Sequence, residues 1–145
     1  MNIEESLNAL VAAFNRGSLD VPAQFFTSRT TFSLNGRSYE SILGGSPDDP
    51  LIRLLARGAA GYRTAAKALQ YALQQPTVVL ESLEAPDEAG LRTARIRVNG
   101  ELRDSREPFS TDVSLRLACD GRELASADAI CAEDEVARIA AARKR

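Results

Sequence analysis

The sequence predicts an α+β domain, on three observations. Apolar residues recur at helical spacing through the first half of the chain and alternate with period two through the second, with the change at Pro76. Turn signals separate short alternating runs in the second half, as between antiparallel strands. A charged run with a few apolar residues closes the chain as a short helix over residues 133–143.

Ile3, Leu7, Leu10, Val11 and Phe14 form one helical stripe, and Gly17 ends the run as a C-cap glycine. Ser18-Leu19-Asp20 ahead of Pro22 predicts a second short helix through Phe25-Phe26. Residues 30–34 and 37–43 flank Asn35-Gly36, which supplies the positive backbone angles of a tight hairpin turn, and Gly44-Gly45 ends that pair. Residues 46–50 read as a helix start, with Asp49 as cap and Pro50 in the first turn. A long helix should follow to Leu73, with Leu51, Leu54, Leu55, Gly58, Tyr62, Ala65, Leu69 and Leu73 on one stripe. Gly58 and Gly61 inside it imply either close packing or a bend near Tyr62. Strands are then expected over residues 77–84, over residues 91–98 ending at Asn99-Gly100, over residues 109–119, and after Asp120-Gly121 over residues 123–132. In the last helix Val136, Ile139 and Ala140 should face inward, and the basic end from Arg138 to Arg145 suits a solvated helix C-terminus.

At 145 residues the chain is expected to form a single domain, its core over residues 3–131. Charged residues make up 26% and net charge is −2 with the two signs interspersed, so no basic stripe invites nucleic acid. Neither a basic leader before an apolar run nor a stretch of ~20 apolar residues is present, which leads to an expected cytoplasmic protein without a membrane span. With no histidine, and with Cys119 and Cys131 some nine residues apart on paired strands, neither a disulfide, a zinc site of the usual kind, nor a Ser-His or Cys-His pair is expected. No metal or cofactor is implied.

The order helix, short helix, hairpin, long helix and four antiparallel strands resembles the NTF2-like superfamily. This is the cone-shaped, cystatin-like fold of nuclear transport factor 2, ketosteroid isomerase, scytalone dehydratase and the SnoaL-like polyketide cyclases. The matching pieces are LVAAFNRGSLD leading into FFTSRTTFSLNGRSYE, the long helix to Leu73, and DVSLRLACDGREL. The resemblance implies a curved mixed, largely antiparallel sheet wrapped around the long helix, an apolar pocket on its concave face and often a dimer through the outer face. It implies no particular reaction, because one fold hosts many.

The strand ELASADAICA sets Asp128 among small and apolar residues. A two-residue turn at Asp120-Gly121 puts Val113 opposite Asp128 and Leu115 opposite Ser126, so Leu124, Ser126, Asp128 and Ile130 would look inward. Ala125, Ala127, Ala129 and Cys131 would then form a flat outer strip able to seat a second subunit; a bulge would reverse both faces. An inward Asp128 needs a partner or a proton. Tyr39, Tyr62, Tyr71, Arg63 and Arg95 are the candidates. Asp128 with Tyr62 or Tyr39 over an apolar cavity suits proton transfer beside a carbonyl, as in ketosteroid isomerase, although that family's tyrosine and two aspartates do not match one by one. The same residues suit a structural aspartate and core tyrosines. Phe14, Phe26, Phe32, Val113, Leu115 and Ser126 are the expected pocket lining, for a small apolar or carbonyl-containing ligand. Arg95 and Arg97 point to solvent or an interface, and Arg95 would admit an anionic ligand if it stood at the mouth. Three readings stay open: a ligand-binding or assembly domain, a cofactor-free isomerase, dehydratase or cyclase, and a protein-binding module working through the outer sheet.

Overall fold

The computed structural model describes residues 2–44 and 49–143. Helix α1 (Ile3–Asn15) starts at a capping box in which the Asn2 side chain accepts from the Glu5 amide and Glu5 accepts from the Asn2 amide. It buries Ile3, Leu7, Leu10 and Phe14. Its last residue, Asn15, donates to the Val78 carbonyl (2.8 Å) and accepts from the Val78 amide (2.7 Å). Val78 lies on β3 (Leu73–Leu83), a sheet edge, so the Asn15 amide group satisfies backbone that no neighbouring strand reaches.

The expected short helix over residues 18–26 is absent. One turn closes from the Phe25 amide to Pro22, Gln24 takes a positive φ, and Phe26 opens strand β1 (Phe26–Leu34). Extended backbone is preferred here because the Phe25 carbonyl accepts a sheet hydrogen bond from Leu124 while its ring is fully buried. Asn35-Gly36 forms the foreseen turn, but β2 is only Arg37–Ser38. The Ser38 hydroxyl then caps the short helix α2 (Tyr39–Ile42), which replaces the rest of the expected strand.

The long helix is two helices. Asp49 caps α3 (Pro50–Ala56) as expected, whereas positions 45–48 lie outside the described residues. A break at Arg57 and Gly58 starts α4 (Gly58–Ala72) in a new direction, so Leu51, Leu54 and Leu55 are exposed and leave the inner stripe to Tyr62, Ala65 and Leu69. Both glycines are packing positions. A Cβ on Gly58 would stand 2.7 Å from the Thr27 carbonyl oxygen, and one on Gly61 would stand 2.5 Å from the Ala56 oxygen and 2.8 Å from the Phe32 ring.

Helix α4 passes directly into β3, and Leu73, expected as its last turn, is fully buried in strand. Pro76 stands within β3 at an irregular step between Gln74 and Thr77, with Gln75 at φ +50°, where a missing amide proton breaks no ladder bond. Strand β4 (Leu91–Leu102) runs on through Asn99-Gly100, because Gly100 is where Leu73 presses on the strand, 3.1 Å from an added Cβ. Strands β5 (Pro108–Asp120) and β6 (Glu123–Ile130) and helix α5 (Glu133–Arg143) complete the chain. In α5 Val136 and Ile139 are half-buried and Ala142 is buried, while Ala140 is exposed.

The sheet order is β2-β1-β6-β5-β4-β3, antiparallel except for the parallel β1–β6 pair. Two buried clusters lie on its inner face. One gathers Phe14, Leu73, Val98, Phe109 and Ala142, the other Leu7, Phe25, Ala94, Leu117 and Leu124, and Tyr62 packs against both.

The β5–β6 register differs from expectation in two ways. The turn is one residue later, with Asp120 opposite Glu123 and Cys119 opposite Leu124, which alone moves partners by two and preserves the faces. Ala125 is then an extra residue on β6, so Ala118 meets Ser126, Leu117 meets Ala127 and Arg116 meets Asp128. One added residue exchanges the faces of everything beyond it.

Gly58→Ala should therefore cost at least about 2 kcal/mol in urea denaturation, from a left-handed backbone plus a clash that backbone cannot relieve. Gly90→Ala, at a similar positive φ but with open space around it, should cost only about 1 kcal/mol. Equal losses would contradict the packing role of Gly58.

Candidate functional site

The inner face of the sheet, α1 and α4 enclose a cavity of about 210 Å³ between the two core clusters. Leu7, Leu10, Phe14, Leu69, Ile96 and Leu115 form its apolar walls, with Ala127 and Ala129 as the floor from β6. One wall is a row of four rings. Tyr62 stacks on Phe26 at 5.4 Å, Phe26 meets Phe32 at 6.0 Å, and Phe32 stacks on Tyr39 at 5.3 Å, so phenols stand at both ends of the row. Such ring pairs add ~0.5–1.5 kcal/mol each beyond the area they bury, which holds the wall in place.

Tyr39 and Tyr62 bring the polar side chains of the lining; Ser33 borders it too, but its hydroxyl turns to the outer face, and no aspartate, glutamate, lysine, arginine or cysteine belongs to the lining among the described residues. Burial pushes the Tyr39 hydroxyl up to about 12. It raises Tyr62 as well, with the Arg63 charge acting in the opposite sense. Both phenols are thus protonated donors near neutrality. Neither hydroxyl has a hydrogen-bond partner in the protein among the described residues, and neither oxygen is fully buried.

Of the residues named from sequence, Phe14, Phe26, Phe32, Leu115, Tyr39 and Tyr62 line this cavity. Val113 packs into the neighbouring core cluster instead. Asp128 and Ser126 do not reach the cavity, because the extra Ala125 turns them to the outer face. There the Asp128 carboxylate accepts from the Ser33 hydroxyl at 2.6 Å and is exposed. Ile130, expected inside, is half-exposed for the same reason. The expected outer alanine strip is reversed in part: Ala127 and Ala129 face the cavity, while Ala125 stays exposed, so the flat strip of alanines is not formed. The outer face carries cross-strand ion pairs, Arg97 with Asp112 (3.1 Å) and Arg95 with Glu84 (3.7 Å), so Arg95 stands away from the cavity. Arg63 donates to the Leu19 carbonyl, and Tyr71 is exposed on α4. A shallow outer cleft beside α5, lined by Arg97, Asp112 and Glu135, is an open depression whose arginine is already ion-paired.

One charged site escaped the sequence reading. Glu40 on α2 is the charged residue buried among those described, and Arg57 Nε donates to its Oε1 at 2.8 Å from the break between α3 and α4. Burial alone would raise the Glu40 carboxyl, but the Arg57 hydrogen bond, a backbone hydrogen bond and the charges of Arg57 and Arg53 together hold it below the ordinary glutamate value. The sequence offered no periodic signal for a contact between residues 17 apart in irregular chain.

No protein-family model matches the chain, and no curated protein matches it in sequence. Its fold is similar to that of TsrD from Streptomyces laurentii (14% identity, TM-score 0.66, 97% of this chain and 95% of that one). It is also similar to an NTF2-like protein of unknown function from Exiguobacterium sp. 255-15 (14%, TM-score 0.61, 88% and 98%). A third likeness is to a hypothetical protein with a ketosteroid isomerase-like fold from Catenulispora acidiphila, solved in complex with trimethylamine (13%, TM-score 0.58, 86% and 83%). At such identities the likeness extends to the fold. Among the described residues no helix is long and apolar enough to cross a membrane.

A glutamate held below its ordinary value stabilises the fold fully above the unfolded-state value of ~4.3, and that contribution is lost as pH falls through the folded value. Glu40→Gln should accordingly cost about 1–3 kcal/mol near pH 7, and its gap to the wild type should narrow as pH drops below ~4.3. Urea denaturation of both proteins at several pH values checks this; a gap that widens on acidification would contradict it.

Proposed function

We propose that this chain, which has the NTF2-like fold, binds a small neutral apolar molecule bearing one acceptor oxygen, such as a cyclic ketone, within the sheet–helix cavity. The observation that carries this reading is the pair of unpartnered, protonated phenols in an otherwise apolar wall. A cavity of about 210 Å³ has the room of roughly seven waters, so the ligand is smaller than the drug-sized occupants of ~300–1,000 Å³ sites. Charge on the ligand would be left without a counter-ion in a desolvated space, which selects against carboxylates and amines. A neutral acceptor oxygen instead gains a hydrogen bond from a phenol that has no partner in the protein among the described residues.

Binding is favoured over proton transfer because an isomerase or cyclase mechanism needs a proton acceptor beside the substrate. The described lining holds no carboxylate, amine or thiol to take a proton, and Asp128 lies across the sheet. The trimethylamine held by one neighbour of this fold is said of that protein; here the walls favour an uncharged guest.

1-Tetralone and its hydrocarbon analogue tetralin separate the two contributions. Calorimetric titration should show both binding to the wild type, and Tyr39→Phe or Tyr62→Phe should weaken 1-tetralone by about three- to tenfold while leaving tetralin within about twofold. Failure of both compounds to bind, or loss of both alike in the phenylalanine variants, would contradict the reading. Asp128→Asn should leave both affinities unchanged.

A further inference from the structure

We propose that Glu40, clamped by Arg57, is the positioning residue that holds Tyr39 as the ligand's hydrogen-bond donor, an inference that rests on the ligand-binding reading of the cavity. Glu40 directly follows Tyr39 on α2, a helix of four residues. So short a helix has little stability of its own and takes its place from what it touches. Ile42 and the following Leu43 are exposed. Among the described residues, two side-chain anchors join it to the body of the protein: the Tyr39 ring stacked on Phe32 at 5.3 Å, and the Glu40–Arg57 ion pair at 2.8 Å.

The receiving end of the clamp is rigid. Arg57 sits at the α3–α4 break, immediately before Gly58, whose left-handed backbone is packed against the Thr27 carbonyl of β1. Phe32, the stacking partner of Tyr39, lies on that same strand and packs against Gly61 of α4. The ion pair and the ring stack therefore fasten α2 to one platform made of β1 and the start of α4. Removing the ion pair leaves α2 held by the stack and the β1–β2 turn, so the Tyr39 hydroxyl loses its fixed direction while the apolar walls stay as they are. Arg53 also acts on Glu40 electrostatically but holds no hydrogen bond to it, so Arg57 is the directional partner.

A double-mutant cycle tests this on the full chain, with 1-tetralone and tetralin as probes. If Glu40 acts through Tyr39, Glu40→Gln should weaken 1-tetralone by about three- to fivefold and tetralin by less than about twofold. The double variant with Tyr39→Phe should then bind 1-tetralone no more weakly than Tyr39→Phe alone, whereas independent residues would give losses that multiply. Multiplying losses, unchanged 1-tetralone affinity, or equal losses for both probes overturns the proposal. Should Glu40→Gln not fold, Arg57→Lys, which keeps a cation but lacks the Nε–H donor, carries the same comparison. If the wild type binds neither probe, the cavity reading itself falls, and amide exchange then decides the clamp: faster exchange in Glu40→Gln over residues 39–43, with α1 and β4 unchanged, supports it, and unchanged exchange over those residues overturns it.

Discussion

The extra residue on β6 at Ala125 determines what the inside of this protein is made of. Without it, the strand from Ser126 to Ile130 would present a carboxylate, a hydroxyl and an isoleucine to the helices; with it, Ala127 and Ala129 face inward and Asp128 faces out. Two methyl groups in place of larger side chains leave space between the sheet and α4, and no charge needs to be neutralised there. The cavity and its apolar character both follow from that one irregular step. Ser33, in parallel register with Asp128, accordingly hydrogen-bonds it on the outer face.

Space alone would collapse without stiff walls. The row from Tyr62 through Phe26 and Phe32 to Tyr39 provides one, and its two ends are fixed by different means. Tyr62 belongs to a helix of fifteen residues and packs against both core clusters. Tyr39 belongs to a single helical turn and relies on a ring stack and on the ion pair of its neighbour. The two phenols are chemically alike and mechanically unlike: one is part of the scaffold, and the other is held by a clamp.

Much of the fold could be read from periodicity. The α1 stripe, the Asn35-Gly36 turn, the Asp49-Pro50 helix start and the inward face of β5 follow from rules that act over a few residues. Phe14, Leu115 and Tyr62 were legible for the same reason, as apolar or amphipathic groups on periodic faces, whereas Phe26 lines the cavity from a strand in place of the expected helix. The failures occur where long-range packing overrides local pattern. Gly100 reads as a turn until Leu73 is placed beside it, and Gly58 reads as a weak helix position until Thr27 is. Asp128 was misplaced because a bulge changes the parity of a strand without changing its composition. The Glu40–Arg57 pair joins segments that carry no periodicity at all.

Methyl-detected NMR with 1-tetralone tests the central claim most directly, because alanine methyl groups report which face of β6 borders the cavity. Intermolecular nuclear Overhauser effects from the ketone should reach the Ala127 and Ala129 methyl groups together with the Phe26 and Phe32 rings, and should not reach Ala125. Effects at Ala125, or at neither Ala127 nor Ala129 in a protein saturated with the ketone, would contradict the register and the site built on it.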